Sequence, residues 1–312
     1  MNAIVEEALG LWGFVGAKWS LVAARENHVF EVIAPNSGRY ALRLHRRGYR
    51  SDAELKSELD WMGALSSGGL NVPTPIVSTE GAHLHRLHDV QVDVLSWLRG
   101  APLGETGRPL DAPDRLGAFR RIGQEMARLH EISDAWTPPS DFSRWSWDRA
   151  GLLGERPLWG RFWENPTLSR EDRALFEAAR RRAAERLSAI EGDLNYGLIH
   201  ADLVRENLMI DGDEVSLIDF DDAGWGFRLF DVATFLFKNR VEPDFEALRA
   251  AFFEGYRSQR ALDVDALGLF TLLRALNYVG WIIERMDEPG AGRRNARFIE
   301  TARNLARREL AA

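Results

Sequence analysis

Residues 197–235 read GLIHADLVRENLMIDGDEVSLIDFDDAGWGFRLFDVATF, and the geometry of this stretch decides the fold. Leu208-Met209-Ile210 and Val215 to Ile218 are short apolar runs joined through Asp211-Gly212-Asp213, which is tight-turn chemistry, so they predict a β-hairpin. A hairpin brings together the residues that flank its open end, here Asn207 and Asp219. An amide oxygen beside a carboxylate is a good oxygen pair for Mg²⁺. Asp202 lies five residues before Asn207, in the loop entering the hairpin, so a second carboxylate can face the same cavity. Acids, a metal and a nearby cleft suit phosphoryl transfer.

Upstream, three short runs rich in aliphatic and aromatic residues, Ser20 to Ala24, His28 to Ala34 and Arg39 to His45, predict a three-stranded meander. Their separators, Arg25-Glu26-Asn27 and Pro35-Asn36-Ser37-Gly38, are turn residues. The period then changes. Leu55, Leu59, Met62 and Leu65 fall on one helical stripe, opened by Ser51 or Asp52 as cap. Val72-Pro73-Thr74-Pro75 is an extended linker, and residues 83–98 predict two more strands. From about residue 100 helices take over. Leu116, Phe119, Ile122, Met126 and Leu129 mark one across 114–131, and others cover 170–191, 243–260, 263–285 and 291–310. The Arg180-Arg181-Arg182 run reads as a solvated helix face. This is an α+β arrangement: a β-rich N-terminal lobe over 1–96 and a mainly α C-terminal lobe over 97–312, with a cleft between them.

His200-x-Asp202-x-x-x-x-Asn207 resembles the catalytic loop of protein kinases and of their small-molecule relatives, the aminoglycoside phosphotransferase, choline kinase and homoserine kinase superfamily. Asp219-Phe220-Asp221 stands where protein kinases have Asp-Phe-Gly, and IHADL, IDFDDAG and FDVA resemble the small-molecule branch over roughly residues 20–285. The resemblance implies a protein-kinase-like two-lobed fold, with ATP and Mg²⁺ as cofactors and a small-molecule hydroxyl as acceptor. It implies Asp202 as the catalytic aspartate, and Asn207 and Asp219 as metal ligands. Tyr40-Ala41-Leu42-Arg43 aligns with the Val-Ala-Ile-Lys strand. Strand alternation puts Ala41, for adenine to lie against, and Arg43, for the phosphates, on one face, with Tyr40, Leu42 and Leu44 on the other. Glu58 is the expected partner of Arg43, and Ser96-Trp97-Leu98 the hinge offering backbone groups to adenine.

There are departures. Arg43 replaces the usual lysine, keeping the charge and adding a fork able to grip phosphate with two bonds. The first turn, Ala24-Arg25-Glu26-Asn27-His28, lacks a Gly-rich pattern, and no Walker-type phosphate loop exists. Only 11 residues separate Asp219 from Asp231, with no Ala-Pro-Glu after them, which leaves little platform for a peptide. A similarity to a stress-response kinase keeps a Ser/Thr protein acceptor as one alternative. A non-catalytic nucleotide-binding pseudokinase is the other. His200 is expected to brace the loop, and Asp231 to accept its backbone hydrogen bonds. Asp221 and Asp222 admit two readings: contact with a second metal or a cationic substrate, or simple solvation. Trp136, Trp145, Trp147, Trp159 and Trp163 either pack the core or wall the substrate, the latter through cation–π contact with an amine.

Bulk composition narrows the field. The 312 residues contain no cysteine, which excludes disulfides, thiolate metal sites and cysteine nucleophiles. A net charge of -7 argues against nucleic-acid binding and leans towards a cationic acceptor. The opening MNAIVEEALGLWGF has acids where a signal peptide has positive charge, and no apolar run approaches the roughly 18 residues of a membrane span. A soluble, cytoplasmic protein is expected.

Overall fold

The computed structural model describes residues 1–24, 27–35 and 38–311. Arg25, Glu26, Asn36 and Ser37, expected in turns, lie outside the described residues, as does Ala312. The chain opens with a helix α1 (Asn2–Leu11) and then the meander β1 (Lys18–Ala24), β2 (His28–Ile33) and β3 (Arg39–Leu44). Helix α2 (Asp52–Ser67) follows, then β4 (Leu84–Leu87) and β5 (Val90–Ser96). These strands form one antiparallel sheet in the order β1-β2-β3-β5-β4. Alternation does the sorting as expected: Tyr40, Leu42 and Leu44 of β3 join the sheet's own core with Phe30, Val32 and Val92, while Ala41 packs on the opposite side. The same core buries Val5, Ala8 and Leu9 of α1. That helix was not expected, although its apolar residues stand at helical steps. Ser51 caps α2 in a full capping box, its hydroxyl accepting from Glu54 N while the Glu54 carboxylate accepts from Ser51 N.

After β5 the chain crosses to the second lobe through β6 (Ala101–Pro102), a two-residue strand absent from the sequence-based expectation. Gly100, at φ +96, makes the crossing possible, since a Cβ there would stand 2.4 Å from Ile210 O. Helix α3 (Arg115–Ala135) buries Phe119, Ile122, Met126 and Leu129 but leaves Leu116 in solvent, so the expected stripe begins one turn late. Next come β7 (Ser146–Trp147), α4 (Arg149–Leu153), α5 (Arg170–Ile190) and β8 (Tyr196–Ile199). The expected hairpin is β9 (Leu208–Asp211) and β10 (Glu214–Leu217), turning at Gly212 with φ +60. Then β11 (Gly224–Phe227) pairs antiparallel with β8 and parallel with β7. Helices α6 (Arg228–Asn239), α7 (Phe245–Arg257), α8 (Leu267–Trp281) and α9 (Ala291–Ala311) complete the lobe. The fold is α+β and two-lobed as expected. The lobes share packing: Leu59, Trp61, Met62 and Leu65 of α2 lie in one core with Phe119, Leu208 and Phe220. No helix among the described residues is long and apolar enough to cross a membrane.

Candidate active site

The pairing of β8 with β11 brings both chemistry-bearing loops to one place. His200 to Leu203 leaves the end of β8, and Asp219 to Ala223 leads into β11. Both loops carry a non-glycine residue in the left-handed region, Ala201 at φ +65 and Asp219 at φ +68. That conformation costs about 1–2 kcal/mol per residue and persists only where the surroundings over-determine it. At Ala201 the restraint is Asp231, fully buried in the first turn of α6. Its carboxylate accepts from His200 N at 2.9 Å and Ala201 N at 2.6 Å, the anchoring role expected of it. His200 braces the loop, also as expected: Nε2 donates to Ile218 O at 3.0 Å and Nδ1 accepts from Asp202 N at 3.3 Å. Burial lowers its pKa, which suits a neutral strut.

A second histidine extends this anchor. His130 is buried in α3, its Nε2 donating to Asp231 at 3.1 Å and its Nδ1 accepting from the Tyr256 hydroxyl at 2.7 Å. Burial, helped by the Arg228 charge, lowers its pKa from 6.5 to about 4, against the pull of Asp231. The unfolded chain therefore binds a proton between these values that the folded protein refuses. The contribution of His130 to stability is full above pH 6.5 and is lost as pH falls towards 4, by up to about 3 kcal/mol. Urea midpoints measured from pH 7 to pH 4.5 should fall more steeply for wild type than for His130→Gln, which keeps a donor for Asp231. Parallel slopes would remove His130 from this account.

The open end of the hairpin gathers the expected acids. Ile218 N donates to Asn207 O at 3.0 Å, placing Asn207 next to the strand that delivers Asp219. Asn207 Nδ2 donates to Asp202 O at 2.9 Å and lies 3.4 Å from Asp202 Oδ2. With its nitrogen so engaged, the amide oxygen is the atom available to a cation. Withdrawal into the cleft raises the pKa of Asp219, and the charges of Asp221, Asp202 and Asp222 raise it further. Its side chain is still open to solvent, so repulsion among these carboxylates matters more than burial.

What the sequence did not disclose is a set of buried arginines around these acids. Arg274 on α8 donates to Asp202 Oδ1 at 2.5 Å, to Ala201 O at 3.1 Å and to the Tyr278 hydroxyl at 2.8 Å. Arg144 clamps the segment after Asp219, donating to Phe220 O at 2.9 Å, Asp221 O at 2.8 Å and Ala223 O at 2.6 Å, and it also reaches Glu58 at 3.3 Å. Arg43 meets Glu58 at 2.7 Å, the expected pair. However, Asp93, fully buried on β5, takes both Nε and Nη2 of Arg43 at 2.8 and 2.9 Å. The fork expected to grip a phosphate with two bonds is therefore closed by a carboxylate. The nearest signal in the sequence was one charged residue, Asp93, inside the apolar run Val90 to Leu95.

The hinge is also narrower than expected. Ser96 N donates to Thr74 O at 2.8 Å and Trp97 N to Arg39 O at 3.3 Å, so among the described residues only Leu98 of the three keeps a backbone N–H without a protein acceptor. The tryptophans have protein neighbours of the kind the packing reading expects. Trp147 is buried and stacked 5.3 Å from Phe230. Arg50 sits 3.7 Å and Arg144 4.0 Å over Trp145, Arg274 4.3 Å over Trp159 and Arg180 3.9 Å over Trp163. Trp136 meets Phe142 edge-on at 5.4 Å. Asp221 accepts from Asn27 Nδ2 at 2.5 Å and lies 3.6 Å from Arg43, while Asp222 lies 3.7 Å from Arg50. Neither is simply solvated.

The chain resembles known proteins over most of its length. Residues 18–267 match the phosphotransferase enzyme family. The homoserine kinase of Brucella anthropi is 30% identical over 261 residues, covering 80% of this chain and 73% of that protein. The structure of a microcompartment-associated aminopropanol kinase superposes with a TM-score of 0.84 at 29% identity, covering 100% of this chain and 98% of the other. The amicoumacin kinase hAmiN, in complex with AMP-PNP, Ca²⁺ and Ami, superposes with a TM-score of 0.78 at 20% identity, covering 97% and 93% of the two chains.

Proposed function

The chain belongs to the phosphotransferase enzyme family, acting on hydroxyl-bearing small molecules, and from that premise we propose that it transfers the γ-phosphoryl group of ATP, held with Mg²⁺. The acceptor classes open to it are amino alcohols, amino acids such as homoserine, aminoglycosides and other sugars. The observation that carries this reading is the convergence of Asp202, Asn207 and Asp219 at the open end of one hairpin. Residues 1–96 would form the nucleotide lobe and 97–312 the catalytic lobe.

The donor set fits a divalent cation. Asn207 offers an amide oxygen, and Asp219 brings a carboxylate into a crowd of acids that a cation would relieve. Among the described residues no group of three or more His, Asp or Glu is arranged to hold a metal alone. That suits Mg²⁺, which usually takes one or two protein ligands and completes its shell with phosphates and water. Asn207 and Asp219 would hold it, and its contribution would be to neutralise charge on the phosphates. Adenine would lie against Ala41 with the hinge residues Ser96, Trp97 and Leu98 beside it, Leu98 supplying the free N–H. Arg43 would meet phosphate only through the protons that Asp93 and Glu58 leave on Nη1 and Nη2.

Asp202 would do the proton work. Arg274 occupies Oδ1, while Oδ2 has only the long 3.4 Å contact from Asn207 Nδ2 among the described residues and is the oxygen that can meet the acceptor. As the bond from the acceptor oxygen to Pγ forms, the acceptor's proton passes to Oδ2. The bond from Pγ to the bridging oxygen breaks, and its electron pair departs with ADP. Most of the acceleration would come from positioning and charge neutralisation. Asp219→Asn tests the metal role, because asparagine tolerates a left-handed backbone while removing the charge. Calorimetric affinity for Mg-ATP should fall by roughly tenfold or more. Thermal stability of the free protein should stay level or rise, since one repelling charge is gone. Unchanged nucleotide affinity would take Asp219 out of the metal site.

A further inference from the structure

Charge around Asp202 is distributed unevenly. The features that favour a cationic acceptor are already matched inside the protein: Asp221 and Asp222 face Arg43 and Arg50, and the faces of Trp145 and Trp159 carry Arg50, Arg144 and Arg274. Beside Tyr278 the balance reverses. Tyr278 is buried and shares Arg274 with Asp202, and Lys238 in the last turn of α6 places Nζ 4.0 Å over its ring. One aromatic ring and one guanidinium thus separate Lys238 from the catalytic carboxylate. Arg240, two residues on, donates only to neutral acceptors, Phe237 O at 2.5 Å and Thr301 Oγ1 at 3.0 Å. Arg297 of α9, its Nη1 3.0 Å from where a Cβ on Gly107 would lie, is close enough for its charge to act on both Lys238 and Arg240. Among the described residues no carboxylate pairs with Lys238, Arg240 or Arg297.

The acids within reach do not supply the missing charge. Glu206 uses both oxygens on Thr106, accepting from its N at 2.6 Å and its hydroxyl at 2.9 Å, and Asp202 is bound to Arg274. Burial lowers the pKa of Lys238 to about 8, with Arg274 and Arg297 adding to the fall and Asp202 and Glu206 opposing it. Arg240 is likewise lowered to about 10, by burial and then by Arg297. Arg297 repels both Lys238 and Arg240 beside a catalytic aspartate, which costs stability in the free protein, and an anion on the acceptor would offset that cost.

We propose that the acceptor carries a carboxylate, which docks on Lys238, Arg240 and Arg297 while its hydroxyl faces Asp202. The inference rests on the phosphotransferase reading above and narrows its acceptor to hydroxy acids and hydroxy amino acids, against the weak lean of net charge towards a cation.

The test uses matched pairs differing only in the carboxylate: glycolate, γ-hydroxybutyrate, ω-hydroxyhexanoate and L-homoserine, each beside the corresponding diol or L-homoserinol. Acceptor-dependent ADP release is measured, with Mg-ATP binding followed calorimetrically in parallel. At least one acid should be used with kcat/KM about tenfold or more above its partner, as expected for a charge-assisted contact. Lys238→Met should bring that ratio towards one through the acceptor KM, and Lys238→Arg should preserve most of it. Preference for the diols or for L-homoserinol overturns the inference, as does failure of every acid to raise turnover, or an unchanged ratio in Lys238→Met. Each of these outcomes, seen with intact Mg-ATP binding, leaves the phosphotransferase reading standing. Loss of Mg-ATP binding in the wild type would remove both.

Discussion

Asp202→Asn is expected to lower kcat and kcat/KM together by roughly 10²–10⁴-fold, the range for loss of a positioned general base, while the protein melts close to wild type. The contacts of Asp202 explain the choice of asparagine. Its Oδ1 is held by Arg274 at 2.5 Å, and its Oδ2, met only by Asn207 Nδ2 at 3.4 Å among the described residues, is the oxygen that can face the acceptor. Asparagine keeps an oxygen for Arg274 and puts an NH₂ where a proton must be received, so the structure survives and the proton transfer does not. Alanine is the poorer probe. It would leave the fully buried guanidinium of Arg274 without its carboxylate, and breaking such a pair costs about 3–5 kcal/mol when both partners are buried. Asp202 is about a quarter exposed, so the penalty here is smaller, yet it is still large enough to mix folding with chemistry. Near-normal turnover in a folded Asp202→Asn protein would sink the catalytic assignment. A fall in kcat/KM through KM alone would make Asp202 a binding residue instead.

The elements legible in the sequence are those whose signal is local. The hairpin announced itself through two apolar runs and an Asp-Gly-Asp turn, and α2 through Ser51 and Glu54 three residues apart. The meander followed from alternation, and with it the sorting of Ala41 and Arg43 from Leu42. Pairings made over long stretches of chain left no such trace. β7 is two residues long and pairs in parallel with Trp225 and Gly226, nearly eighty residues on, and β6 exists only because β9 lies beside it. In α1 a helical period is present in Val5, Ala8 and Leu9, but three apolar positions in a ten-residue segment make a weak stripe.

The site divides along the same line. Asp202, Asn207 and Asp219 sit within one continuous stretch of loop and hairpin, so their spacing alone brought them together. Arg144 and Arg274 reach the same loops from about 75 residues away on either side. A sequence shows that a buried arginine needs an acceptor; it does not say which acceptor the fold will bring. Arg43 shows both halves of this at once. Glu58, 15 residues on along the next helix, was within reach of pattern reasoning. Asp93, 50 residues on, was not, and it is the partner that decides what the guanidinium can still do.

Asp93→Ala is accordingly expected to destabilise the protein by about 3–5 kcal/mol, the cost of breaking a buried ion pair from one side. Asp93 is fully buried and accepts three bonds, two from Arg43 and one from His45 Nε2 at 2.6 Å. Burial alone would raise its pKa, yet Arg43 and His45 more than offset this and hold it at about 2. Its contribution is therefore present above pH 3.8 and lost as pH falls towards 2. Without Asp93, Arg43 keeps Glu58 and turns on Asp221, 3.6 Å away and two residues from Asp219, so the stability loss should bring weaker Mg-ATP binding with it. A paired replacement separates the two effects. Arg43→Met with Asp93→Leu removes both buried charges and leaves Glu58 paired with Arg144, so much of the stability should return. If Arg43 contributes to the nucleotide site, Mg-ATP affinity will not return with it. Urea unfolding and Mg-ATP titration on the single and double variants read both quantities. A cost below about 1 kcal/mol for Asp93→Ala would deny the network its structural role. Wild-type nucleotide affinity in the double variant would show that Arg43 serves the fold alone.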